Sequence, residues 1–365
     1  MTSAQVNALN STDLQFLVTT QVASLSTTVI SHLLTLQLQS FTETQIGQLT
    51  TTQVKVLTAD ELGALSTTEL QGLTTTQASA LTSTQIGSLD TTTLNNLTTT
   101  QVGALNSTQV GGLSTTQIDG LSTDNLAALN VSRLSTTQVS ALTTTALNAL
   151  TTTQAGALTT TQVGRLSTTQ LNALSTDNID ALSVAKLTTT QVSGLTTTSL
   201  NNLTTTQVGA LATTQVAGLT TTSLNALSTA NLDALSVAKL TTTQVSGLDT
   251  TAITNLTTTQ VGALSATQVA ALQVTQANAL TTTEVAAFTS TQAAALTSTQ
   301  IAGLTTTNFS ALSETTGIPS LSVAAIHSIT TTEIGSLSST QGNAFVTSQV
   351  EAMSIDQLNA LVVIL

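Results

Sequence analysis

Thr98-Thr-Thr-Gln-Val-Gly-Ala-Leu105 returns unchanged as Thr204-Thr-Thr-Gln-Val-Gly-Ala-Leu211, and close variants of it fill nearly all of the chain. Leucine or a substitute closes such an eight-residue unit forty-two times between Leu9 and Leu361. A short fixed period marks a repeat array, in which each unit buries its apolar face against others rather than folding alone. The reading of one octad therefore decides the fold of the whole.

Position one of the octad is Thr or Ser and position four is usually Gln. That spacing is the capping box: the hydroxyl accepts from the backbone N–H three residues on, and the Gln side chain reaches back to the cap's own N–H. In Thr204–Leu211 the cap is Thr204 and its reciprocal partner Gln207. Leu203 and Val208 then flank the helix start as a hydrophobic staple. Val at five and Leu at eight are i, i+3 neighbours on one helical face, while Ala, Gly, Ser or Asn at six and seven permit close approach. One continuous helix fails, because eight residues advance about 800° and the Leu row drifts about 80° per unit. The pattern thus predicts an all-α solenoid of very short capped helices, one per octad. A Thr-rich β-solenoid is the rival, since Thr and Val favour strands. Against it, positions five and eight have opposite parity and cannot share one face of a flat strand.

Three five-residue units interrupt the period: Asn130-Val-Ser-Arg-Leu134, Ser183-Val-Ala-Lys-Leu187 and Ser236-Val-Ala-Lys-Leu240. They recur every 53 residues and close the related segments 82–134, 135–187 and 188–240. Each drops the cap but keeps Val and Leu at i, i+3, as a phase correction would. Arg133, Lys186 and Lys239 form one positive spot per segment, read either as a solvated edge or as periodic docking charges. Residues 1–65 are less regular and read as N-terminal repeats or a cap. Residues 66–312 form the regular array. Residues 313–365 open on a nonad with the chain's one proline, Pro319, which marks a bend before the C-terminal repeats.

Composition narrows function mainly by exclusion. Seventeen acidic residues against five basic ones give a net charge of −12, which repels nucleic-acid phosphates. Five Phe with no Trp or Tyr offer little for base or sugar stacking. There is no cysteine, so neither disulfides nor thiolate metal sites arise. His32 and His327 lack neighbouring ligands at metal spacing, and no nucleophile motif or phosphate loop is present. No catalytic, metal or cofactor residue is assigned, and the chain reads as a non-enzyme. The start Met-Thr-Ser-Ala-Gln carries no basic and apolar leader, so export without a cleaved N-terminal signal is the expectation. No apolar run suits a membrane span, so membrane insertion is not expected. Asn-x-Ser/Thr sequons at Asn10, Asn96, Asn106, Asn130, Asn202, Asn255 and Asn308, together with the Thr rows, leave glycan modification open.

Units such as Thr188-Thr-Thr-Gln-Val-Ser-Gly-Leu195 resemble the Thr-Thr-x-Gln-Val/Ile octad arrays of large secreted bacterial repeat proteins of adhesin or surface-layer type. The resemblance spans nearly the whole chain and implies an extracellular structural role, with no active site to carry over. The apolar tail, Val362-Val363-Ile364-Leu365, resembles the uncleaved C-terminal signals of type I secretion substrates; it reads equally as closure of the last repeat. Against Val6, Leu9, Leu14 and Phe16 at the opposite end, it also suggests head-to-tail assembly with a second copy into a filament or surface layer. The alternative function is binding of ice or a periodic polymer through regularly spaced Thr hydroxyls.

Overall fold

A computed structural model describes all residues, Met1–Leu365. It contains forty-two α-helices, four single 3-10 turns and no strand. The all-α solenoid reading therefore holds, and the β-solenoid does not form. Each octad is one helix, and each five-residue unit is one 3-10 turn: Val131–Arg133, Val184–Lys186 and Val237–Lys239. The fourth turn, Ile318–Ser320, carries Pro319 at its start, where the missing N–H costs nothing.

The local chemistry is uniform. At Thr98 the backbone is extended (φ −68°, ψ 154°) and the helix Thr99–Ala104 begins directly after it. The Thr98 N–H donates to Gln101 Oε1 at 2.8 Å, and the Gln101 N–H donates to Thr98 Oγ1 at 3.2 Å. The helix stops because Leu105 returns to extended backbone (φ −57°, ψ 128°), its N–H still bonded to Val102 O. Leu105 and Asn106 are then two consecutive extended residues, and they make the corner before the next cap. No residue needs a positive φ, so the corners do not call on glycine's backbone freedom, although a Cβ on Gly317 would stand 2.6 Å from Ser313 N.

The chain forms two compact units, Met1–Lys186 and Leu187–Leu365, each a stack of these helices. Within each unit, helices three octads apart lie side by side, as Ser83–Ser88 does against Ser107–Gly112 and Thr242–Gly247 against Ala266–Ala271. Some contacts are close enough to need the smallest residues: a Cβ on Gly87 would stand 2.6 Å from Gly112 O. Position five and position eight fill the core, with Val102 and Leu105 each 2% exposed. Burial of each such side chain contributes roughly 1.5–3 kcal/mol. That stabilisation is shared between neighbours, since helices of four to six residues do not persist alone.

Candidate functional site

The polar chemistry of the molecule is concentrated in one repeated arrangement. The position-four Gln, already used in the capping box through its carbonyl oxygen, is buried at nearly every occurrence from Gln37 on. Its amide nitrogen faces the other way. Gln53 Nε2 donates to Val22 O at 2.9 Å and Leu25 O at 2.8 Å. Gln101 Nε2 donates to Leu70 O at 2.8 Å and Leu73 O at 2.6 Å. In the second unit Gln268 holds Val237 O and Leu240 O, each at 2.8 Å, and Gln357 holds Ile326 O and Ile329 O. The acceptors are the position-five and position-eight carbonyls of the octad four units back. The position-eight carbonyl lies past the helix end without an internal partner, whereas the position-five carbonyl already accepts the position-eight N–H, as Leu70 O does from Leu73, and takes the Gln amide as a second donor. One side chain thus closes the start of its own helix and the end of another, building a glutamine ladder through each unit.

The five-residue units show that the register counts units rather than residues. Rungs normally span 31 and 28 residues, but Gln138 reaches Val110 O and Leu113 O at separations of 28 and 25. The shortened unit Asn130–Leu134 lies between them. Val131 O and Leu134 O in turn accept from Gln162 as an octad's carbonyls would. These short units lack Gln, and their cations take over its donor role. Arg133 Nη1 donates to Leu105 O. Lys186 Nζ donates to Gly156 O at 2.8 Å and Leu158 O at 2.6 Å, and Lys239 Nζ to Gly209 O at 3.2 Å and Leu211 O at 2.6 Å. All three cations are half-buried. A second, exposed ladder uses position six: Asn95 Nδ2 donates to Gly120 O at 2.8 Å while its Oδ1 accepts the Ser122 N–H at 2.7 Å.

The residues read as assembly contacts divide by exposure. Val6 and Leu14 are fully buried in the chain's own core, and Leu9 is half-buried, whereas Phe16 is 78% exposed. The final helix, Ile355–Ile364, runs past Leu361. Val362 and Val363 are 72% and 83% exposed, while a Cβ on Gly342 would meet Ile364 and Leu365 side-chain carbons within 3.1 Å. Ile364 and Leu365 therefore touch the repeat that holds Gly342, two octads back, and the two valines face outward.

Elsewhere the geometry gathers little chemistry. His32 lies at the surface with Nδ1 at 2.7 Å from Thr28 O, and His327 terminates the helix Val323–Ile326. No three His, Cys, Asp or Glu residues come together. A cleft of 340 Å³ opens where Thr93 replaces the ladder Gln, with Asp60 and Asp90 on its walls. Asp90 caps its helix, and the Thr93 N–H and hydroxyl hold its carboxyl below the ordinary value of 3.8. No helix is long and apolar enough to cross a membrane.

The sequence revealed the capping role of Gln but not its second bond. A signal was present. Position four holds twenty-six Gln against four Glu, although Glu completes a capping box equally well and suits a helix N-terminus better. A preference for the neutral amide requires a use for its N–H donors.

Comparison with known families finds the ALTTAQ repeat in five copies, at residues 58–91, 94–131, 156–184, 184–221 and 237–274. These matches support a tandem repeat array, and cover a little under half the chain. No curated protein matches the chain significantly.

Proposed function

We propose that the chain is a non-enzymatic structural repeat protein that works outside the cell and associates with further copies of itself head to tail. The observation that carries this reading is the ladder. The buried polar side chains are spent on joining one repeat to another, and the same joint recurs through both units. Catalysis needs a few unlike groups at one place, whereas this arrangement multiplies one group. The mode of association follows from the same chemistry. Gln5 and Gln21 hold the ladder position and are exposed. Their amides match the acceptor carbonyls of a last coil, Ile334 and Leu337 among them. Exposed Phe16 supplies apolar contact on one side, and Val362 and Val363 supply it on the other. Such a heterologous contact builds an open filament when its rotation does not close a ring. The resemblance to secreted octad arrays supports the extracellular setting. Electron microscopy with sedimentation velocity tests the proposal: filaments or concentration-dependent oligomers are expected, and a monomer at high concentration rejects it.

A second reading draws on the threonines. Position-two and position-three residues such as Thr205 and Thr206 are exposed, whereas position one is engaged in capping. Regular outward hydroxyls suit ice or a periodic polymer. Thermal hysteresis and shaped ice crystals would favour this reading; their absence removes the ice-binding form of it.

A further inference from the structure

Four octads carry Glu at the ladder position: Glu61, Glu69, Glu284 and Glu333. Each spends one oxygen on its cap, as in the Thr330 N–H to Glu333 Oε2 bond of 2.6 Å. In a Gln unit the other terminal atom is the nitrogen that donates to two main-chain carbonyls. In a carboxylate it is a second acceptor, with no proton to give. Glu333 is the sharpest case. The residue is 3% exposed, and its Oε1 is buried without any hydrogen-bond partner.

Counting four units back from Glu333 leads to Thr297–Leu304, whose ladder acceptors are Ile301 and Leu304. The neighbouring rungs keep this count across the nonad: Gln341 reaches Ser310 O and Leu312 O, and Gln349 reaches Ile318 O and Leu321 O. The register therefore sets one carboxylate oxygen against two carbonyl oxygens in a buried slot. Such an arrangement is costly unless a positive group enters it. The fold shows which kind of group fits. At two five-residue units the position-eight carbonyl four units back, with its position-six neighbour, receives the ammonium of Lys186 or Lys239, at N···O distances from 2.6 to 3.2 Å.

We propose that the Glu333 slot binds a monovalent cation of ammonium size, ammonium itself or potassium, through Glu333 Oε1 and the carbonyls of Ile301 and Leu304. One carboxylate balances a single positive charge. Calcium takes about six to eight oxygens at about 2.3–2.6 Å, more than this slot offers. The proposal is independent of whether the chain assembles.

Thermal unfolding of the full chain is to be measured in KCl, NH4Cl and choline chloride at equal ionic strength, for wild type and Glu333→Gln. Amide exchange of the segment 330–337 is followed in the same salts as a local readout. Potassium or ammonium should raise the wild-type melting point by about 2 °C over choline and slow exchange in that segment. In the variant, the Gln amide should give a higher melting point in choline and no difference between salts. Equal behaviour of wild type in all three salts overturns the proposal, as does an equal cation response in the variant. A wild-type melting point that rises on acidification and ignores the cation also overturns it, because a proton then fills the slot.

Discussion

Gln101 ties three main-chain groups with one side chain, the Thr98 N–H and the carbonyls of Leu70 and Leu73. Replacing it by Ala leaves the Thr98 N–H and Leu73 O without these partners, while Leu70 O keeps only the Leu73 N–H. The expected loss is about 1–3 kcal/mol, read as a lower urea midpoint. Gln101→Glu separates its two roles, since it preserves the capping box and removes only the donors. It should destabilise despite its near-identical shape, and wild-type stability in that variant would refute the ladder. The cap has a natural deletion at Ala212, where Gln215 still accepts the cap N–H at 2.8 Å but no side-chain oxygen answers it. Ala212→Thr should stabilise by about 0.5–2 kcal/mol. Asp90 gives the pH-dependent case. Its folded pKa lies below the ordinary 3.8, chiefly through the bonds from Thr93, so the unfolded chain binds this proton more readily. The contribution of Asp90 is therefore full above pH 3.8 and is lost as pH falls through the lower folded value. Asp90→Asn keeps a capping oxygen without that titration, so the stability difference from wild type should change only in this acid range.

The short helices were legible in the sequence because their boundaries are set by chemistry within eight residues. Thr98, Gln101 and Leu105 define a start, a reciprocal cap and an exit, and the helix Thr99–Ala104 lies between them. The five-residue units were legible as phase corrections, since Val131 and Leu134 keep the core spacing. Their 3-10 form follows from having too few residues for a full α-turn. The partners of Gln, Arg133, Lys186 and Lys239 were not legible. Which carbonyl lies beneath a side chain depends on how many octads complete a coil, and a local capping pattern does not contain that number. A position-seven cation consequently reads as surface charge until the carbonyl 28 residues back is seen. Lys239 makes this testable. Lys239→Met keeps most of the aliphatic stem but leaves the Gly209 and Leu211 carbonyls without their donor, at an expected cost of about 1–3 kcal/mol. Lys239→Arg should be nearly neutral, because Arg133 already fills the same role in an equivalent unit. Equal losses in both variants would show that the stem, rather than the donor, matters.

Across the whole molecule, repetition makes the surface that joins one repeat to the next the same kind of surface that could join one copy to another. A net charge of −12 opposes indiscriminate association, so contact between copies has to be supplied by specific apolar and amide groups. Val362 and Val363 are the exposed candidates, and they can be altered without disturbing the chain's own packing. Removing residues 362–365 is a less selective change, because it also strips Ile364 and Leu365 from Gly342. The combined change Val362→Ser and Val363→Ser should therefore abolish self-association and leave helix content by circular dichroism unchanged. Burial of two valines is worth roughly 3–6 kcal/mol, so the dissociation constant should rise by about two to four orders of magnitude. Sedimentation velocity over a concentration series reads that shift directly. Assembly that persists in the double variant would locate the contact elsewhere and remove the valines from it.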